Sequence, residues 1–284
     1  MPSTQDLRRK ITSVKATAKL TRAMQMVAAS KMSRAVQAAT ASRAYADTAW
    51  TVLGDLAART GGAHPLFVVR EAGKIALVIV ASNRGLAGSF NSQVFRAALS
   101  AITPDTELIT VGRKALGYLR RFRGDQLVAD FPASDATPRT TDASSITQFL
   151  TERFLRGEYR AVFVAYNKFE STLASRPVVE QLLPVVPTAP DEATSAALAE
   201  FAVEPSPVAV LDALVRRVVP LRFYQMLLDS SASEHSARMV AMKSATDNAG
   251  EIVDDLTLTY QGVRQANITR EIIEVSSGAA ALAG

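Results

Sequence analysis

Two stretches at opposite ends of this chain repeat their apolar residues every three or four positions for much longer than a compact domain of 284 residues needs. From about Thr4 to Ala58 there is no Gly before Gly54 and no Pro after Pro2. Leu7, Ile11, Val14 and Ala18, then Leu20, Met24 and Val27, recur at the spacing of a helix with one apolar stripe. Thr4 is a candidate N-cap and Gly61-Gly62 a stop, so the stretch predicts a helix of roughly 80 Å. From about Pro207 to Gly278 the pattern returns. Leu211, Leu214, Val218, Leu221, Gln225, Leu228, Ala232, His235, Met239, Met242, Thr246, Ala249, Val253, Leu256, Tyr260 and Val263 keep a strict alternation of three and four. A helix over that seam would reach roughly 105 Å. Pro220 interrupts it at a cost of about 3 kcal/mol, which predicts a kink or break there.

Two striped helices, each too long for the segment between them, must bury their stripes, and the economical partner for each is the other. The expected arrangement is an antiparallel coiled coil of residues 1–60 with residues 205–284. The charges agree. The first segment carries Arg8, Arg9, Lys10, Lys15, Lys19 and Arg22 against Asp6, while the distal C-terminal stretch carries Asp247, Glu251, Asp254, Asp255, Glu271 and Glu274. Opposite charges beside a seam favour pairing by a few tenths of a kcal/mol each.

Between them, over residues 71–192, the period changes. Lys74–Ala81, Glu107–Val111 and Ala161–Ala165 are short β-branched runs that read as buried strands. Helical patterns at Asn91–Ala101, Lys114–Arg123 and Ser144–Arg156 alternate with them, which predicts a parallel sheet with right-handed crossovers. Val178–Val186 reads as a further strand ended by Pro184 and Pro187, and Pro187–Glu192 as a linker. The fold class is therefore α/β: a long antiparallel coiled coil with a Rossmann-like α/β domain inserted between its helices.

Several kinds of chemistry are thin here. There is no Cys, which removes disulfides, thiolate nucleophiles and cysteine metal sites, and His64 and His235 are the whole histidine complement. An aromatic share of 6% suits long helices better than a bulky core. No run approaches 18 apolar residues, so no spanning helix and no direct membrane insertion are expected. The N-terminus lacks an apolar signal core, and its basic amphipathic pattern runs too long for a transit peptide.

The turn Ser82-Asn-Arg-Gly-Leu-Ala-Gly-Ser-Phe-Asn91 follows a strand and opens a helix, where backbone N–H groups can cradle phosphate. It matches neither dinucleotide nor P-loop fingerprint, and a tight structural turn accounts for it as well. Asp254 and Asp255 are helical neighbours pointing about 100° apart, a poor acid/base pair. The net charge of +5 and the basic first segment leave nucleic-acid binding open, although no aromatics are interleaved there. A nucleotide-binding enzyme with helical arms, a basic arm gripping RNA and a self-associating scaffold are thus the alternatives that the residues alone allow.

Two segments carry a more specific signal. Ile11-Thr-Ser-Val-Lys-Ala-Thr-Ala-Lys-Leu-Thr-Arg-Ala-Met-Gln-Met-Val-Ala-Ala-Ser-Lys-Met32 resembles the N-terminal helix of the F-type ATP synthase γ-subunit family. Ala237-Arg-Met-Val-Ala-Met-Lys-Ser-Ala-Thr-Asp-Asn-Ala-Gly250, Asp254–Tyr260 and Arg264–Glu274 resemble that family's C-terminal signature, and the turn Ser82-Asn-Arg-Gly-Leu-Ala-Gly88 matches as well. The resemblance implies a non-catalytic rotor shaft, the central stalk of a proton-translocating synthase, with no cofactor of its own. It implies α and β subunits of the catalytic head, an ε subunit and a membrane c-ring as partners, not nucleic acid. It places the chain peripherally on the cytoplasmic face of a bacterial plasma membrane. By position it also implies that Met24, Arg238, Arg264, Gln265 and Thr269 contact the head or support coupling, and that Glu204 lies at the foot near ε and the ring. The cysteine-bearing insert of chloroplast relatives is missing, so no thiol regulation is expected.

Overall fold

The computed structural model describes residues 3–61, 64–186 and 203–283. In chain order the elements are α1 (Thr4–Arg59), β1 (Lys74–Val80), α2 (Phe90–Ser100), β2 (Thr106–Val111) and α3 (Arg113–Phe122). A 3-10 turn at Gly124–Gln126 leads into β3 (Leu127–Phe131), α4 (Thr140–Leu155), β4 (Tyr159–Phe169), β5 (Ser175–Leu183) and α5 (Pro207–Ala283). The linker expected at 187–192 lies outside the described residues. The chain divides into two compact units, Ala28–Arg238 and a second made of Met1–Val27 with Met239–Gly284.

The larger unit is built on a five-stranded sheet of order β3-β2-β1-β4-β5. β1 pairs in parallel with β2 and β4, and β2 with β3, as the strand-helix alternation requires. Five consecutive residues of β1 are buried, so its continuous apolar run is covered on both faces. Val94 and Ala98 of α2 with Ala115 and Leu119 of α3 pack on Leu77, Ile79 and Leu108, closing one face. The other face carries α4 through Ile146, Leu150 and Phe154, α1 through Leu53 and Leu56, and α5 through Leu211, Val215, Phe223 and Leu227.

Two features of the sheet differ from the sequence expectation. β3 is a strand without an apolar run: its Leu-Val-Ala-Asp-Phe alternates half-buried with exposed positions. β5 is antiparallel, returning beside β4 through the tight turn at Ser171–Ala174. A turn that short cannot make the crossover a parallel partner needs.

α5 is also not broken at Pro220, which sits inside a helix of 77 residues. The proline forfeits the N–H bond to the carbonyl of Arg216. Val215, Val218, Val219 and Phe223 on either side are buried, and that packing holds the helix across the missing bond. Where α1 and α5 run together in this unit, the buried side of α1 is lined by Ala35, Ala39 and Ala46. Alanines let the helix backbones approach closely.

A polar cluster sits on this contact. Arg43 Nη2 lies 2.9 Å from Asp229 Oδ1, and Ser42 Oγ donates to Gln225 Oε1 at 2.5 Å. Gln225 Nε2 donates to the Ala39 carbonyl at 3.2 Å. Asp229 is buried, which pushes its carboxyl above the usual range although the Arg43 cation pulls the other way.

In the smaller unit, Thr21 and Thr246 share a hydroxyl hydrogen bond of 2.7 Å. None of the sixteen seam positions of α5 from Leu211 to Val263 is exposed. The α1 stripe needs correction. Leu20 and Val27 are 61% and 58% exposed, and Thr21 is buried in their stead. The three-four alternation from Leu7, Ile11, Val14 and Ala18 leads to Thr21, whereas Leu20 lies about 200° around the helix from Ala18.

Candidate functional site

In an open α/β sheet, ligands bind beyond the carboxyl ends of the strands where the connections diverge, here between β1 and β4. That crevice is filled by the chain's own groups. Asn91 Oδ1 accepts the Ser82 N–H at 3.1 Å, and Ser82 Oγ donates to the Arg84 carbonyl at 2.6 Å. Asn167, at the end of β4, donates from Nδ2 to the Phe90 carbonyl at 3.0 Å and accepts from Ser233 Oγ of α5 at 3.2 Å through its own carbonyl. On the other side of β1, beyond the ends of β2 and β3, lies a cavity of about 40 Å³ lined by Val80, Val111, Ser230 and Glu234 among others. A small-molecule site needs several hundred Å³. The Ser82–Asn91 turn is therefore a structural joint between sheet and α5.

Arg238 completes the joint. It pairs with Glu234 at 2.8 Å, donates from Nη1 to His235 Nδ1 at 3.2 Å, and reaches the Arg84 and Gly85 carbonyls with Nη2 at 3.4 Å. Its side chain is 12% exposed, so it is already engaged within this chain. Burial pushes the Glu234 carboxyl up, partly offset by Arg238. Burial and the cations Arg238 and Lys31 depress His235 to about 4, so the ring is neutral and can accept the Arg238 bond. Across the turn, Asn83 Nδ2 donates to Asp135 Oδ1, Arg84 lies 3.2 Å from Oδ2, and Lys31 Nζ donates to the Asp135 carbonyl. The Asn83 hydrogen bond and the Arg84 and Lys31 charges hold the Asp135 carboxyl low. Lys31, Asp135 and Glu234 carry no local sequence signal, because their role depends on three distant segments meeting.

Glu204 is exposed just ahead of α5, with Val203 beside it packed on the core. Met24 is half-buried on α1. With Thr21 opposite Thr246 in an antiparallel pair, Met24 lies opposite Lys243, roughly 30 Å along α5 from Arg264. The same register carried outward brings Thr4, where α1 begins, level with Val263. Beyond Val263 the helix has no partner among the described residues. Arg264, Gln265 and Thr269 stand on the first turns of that bare extension, and all three are exposed. So are Ile268, Ile272, Ile273 and Val275, the last three by 58–73%. On α1, Leu20, Met26 and Val27 face outward in the same unit. The sequence signal for these was apolar residues lying off the seam. Helices that leave so much apolar surface uncovered are built to be covered by another chain.

A family model described as ATP synthase matches residues 3–282. A Pelotomaculum thermopropionicum ATP synthase gamma chain is 42% identical, covering 99% of this chain and all of that protein. The Roseiflexus castenholzii gamma chain is 44% identical over 100% of this chain, and a Haemophilus influenzae one 36% over 99%. Among solved structures, a chain of the Euglena gracilis mitochondrial ATP synthase assembly of OSCP, F1 and c-ring aligns with TM-score 0.71 at 16% identity, covering 98% of this chain and 94% of its own length. A chain of the Tetrahymena thermophila central stalk and c-ring assembly aligns with TM-score 0.61 at 26% identity, covering 80% and 99%. The chain belongs to the ATP synthase gamma chain family. It is accordingly the non-catalytic rotor subunit of that complex, coupling rotation to events at catalytic sites carried on other subunits. No helix among the described residues is long and apolar enough to cross a membrane, and the stalk is membrane-associated peripherally.

Proposed function

We propose that the bare end of α5 is the working tip of the shaft, turning inside the sleeve formed by the α and β subunits. Arg264, Gln265 and Thr269 then face the β subunit and transmit its coupling contact, and Met24 lies against the same head lower on the shaft. The observation that carries this reading is the extension beyond Val263, which has no partner among the described residues and leaves Ile268, Ile272, Ile273 and Val275 exposed. Such a surface is costly in water and at home in an apolar bearing. A rotor acts by touching the three catalytic subunits differently at each angle, and only such differential contact shifts their populations.

Functionally the chain divides into helix 1–60, an α/β body over 71–192, and helix 205–284. The body and Glu204 form the foot that meets ε and the c-ring, in keeping with the c-ring and rotor assemblies in which the structural relatives were solved. Arg238 supports coupling from within: in the free chain it clasps α5 to the Ser82–Asn91 turn, so that helix and body turn together. The curated relatives cited are bacterial, which favours the cytoplasmic face of a bacterial inner membrane.

The test is R264L/Q265L in the assembled complex. ATP-driven proton pumping should fall between about fivefold and a hundredfold, the usual span of a coupling contact. The thermal midpoint of the free chain should not move, because both side chains are exposed. Wild-type pumping by the variant would remove these residues from the coupling path.

A further inference from the structure

α3 is the most strongly amphipathic of the short helices. Its inner side buries Ala115 and Leu119 against the sheet. Its outer side carries Arg113, Lys114, Arg120 and Arg121, all exposed, arranged around Gly117. No acidic residue occurs in the helix, and a Cβ at Gly117 would meet nothing within 4 Å, so the centre of the face is bare backbone. Arg123 extends the cationic surface past the helix end. Among the described residues none of these five cations is in an ion pair, whereas nearly every carboxylate of the neighbouring strands and α4 that pairs does so with Lys74, Arg153 or Arg156.

An apolar rim adjoins the face. Phe95 of α2 stacks on Tyr118 with centroids 4.4 Å apart, and Tyr118 leans on Phe122 at 4.9 Å. Phe95 and Tyr118 are half-buried by this stack, while Phe122 remains 60% and Leu99 of α2 39% exposed.

The helix dipole accounts for Arg120 and Arg121 in the last turn, but Arg113 and Lys114 occupy the first turn, where a cation is disfavoured. We propose that this α2–α3 face docks the chain on the anionic phospholipid headgroups of a membrane surface. A field of long unpaired cations fits the anionic headgroup layer, while Phe122, about 140° around the helix from Gly117, lies off that face. It does not fit the core of a protein interface, which is depleted of charge and centred on buried anchors. It fits single-stranded nucleic acid poorly as well, because Phe95 and Tyr118 have spent their ring faces on each other. The cations of α1 compete less, since their compact unit also contains Asp247, Glu251, Asp254 and Asp255 and is closer to charge balance. This inference is independent of the coupling role of α5.

The experiment is flotation of the full chain with phosphatidylcholine vesicles containing or lacking phosphatidylglycerol, at low and high salt. Wild type should bind the anionic vesicles alone and lose most binding at high salt. The R113Q/R120Q/R121Q/R123Q variant should bind about tenfold more weakly or worse, while the same four positions changed to Lys should keep binding. The K15Q/K19Q/R22Q variant serves as the comparison and should lose much less. Equal binding to neutral vesicles, a larger loss in the α1 variant, or loss in the Lys variant would overturn the proposal. So would tighter binding to a single-stranded RNA homopolymer than to anionic vesicles.

Discussion

Arg43→Met tests whether the polar cluster between α1 and α5 is held by charge. Methionine keeps the length of the stem and removes the guanidinium, leaving Asp229 with the long 3.4 Å contact from Gln225 Nε2. Asp229 is 4% exposed and so has little water to turn to. Breaking a fully buried pair by removing one partner costs about 3–5 kcal/mol. Here the Arg43 side chain is 45% exposed, and solvent already screens the bond, so the loss should be nearer that of a charged hydrogen bond, about 2 kcal/mol. For a chain of this length that is roughly 4–8 °C in Tm.

The pH dependence carries the sharper signal. Burial already lifts the Asp229 carboxyl above its unfolded value, so its ionisation weakens the fold as pH rises from the carboxylate range through the folded pKa. Without Arg43 that pKa climbs further and the deficit spreads upward. The variant should therefore lie closest to wild type near pH 4 and fall furthest behind above neutrality. R43M/D229L, with no charge to bury, should recover most of the loss. Thermal melts of the three proteins from pH 4 to 8 decide the matter. A constant gap between R43M and wild type across that range would show that Arg43 acts through packing and that the reasoning about Asp229 is wrong.

Thr246→Val should cost about 1 kcal/mol because Thr21 Oγ1 keeps the 3.1 Å bond to the Ala18 carbonyl but loses its cross-helix partner, whereas T21V/T246V should be nearly neutral. Urea titration of both variants separates that outcome from simple additivity. His235, depressed to about 4 in the fold, should show no imidazole midpoint above pH 5 by NMR. Because the unfolded ring takes up a proton first, it removes stability as pH falls from about 6.5 toward the folded value, on the order of 3 kcal/mol in all. H235Q should flatten the stability profile over that window, and an unchanged profile would place the titration elsewhere.

What the sequence determined by itself was local and periodic. The heptad positions from Leu211 to Val263 named the inner side of α5 without an error, because a three-four repeat has one helical solution. The runs Lys74–Ala81 and Glu107–Val111 read as buried strands, and β1 and β2 form there, since only burial on both faces tolerates continuous β-branched residues. Tertiary structure decided the rest wherever hydrophobicity stops being a guide. It selected Thr21 over Leu20 for the α1 interface because two close helices need the correct angle and a small side chain more than an apolar one. It carried α5 through Pro220, since buried neighbours supply what one backbone bond does not. It also turned Arg238 inward onto the Arg84 and Gly85 carbonyls, a contact between residues about 150 positions apart that no local pattern encodes.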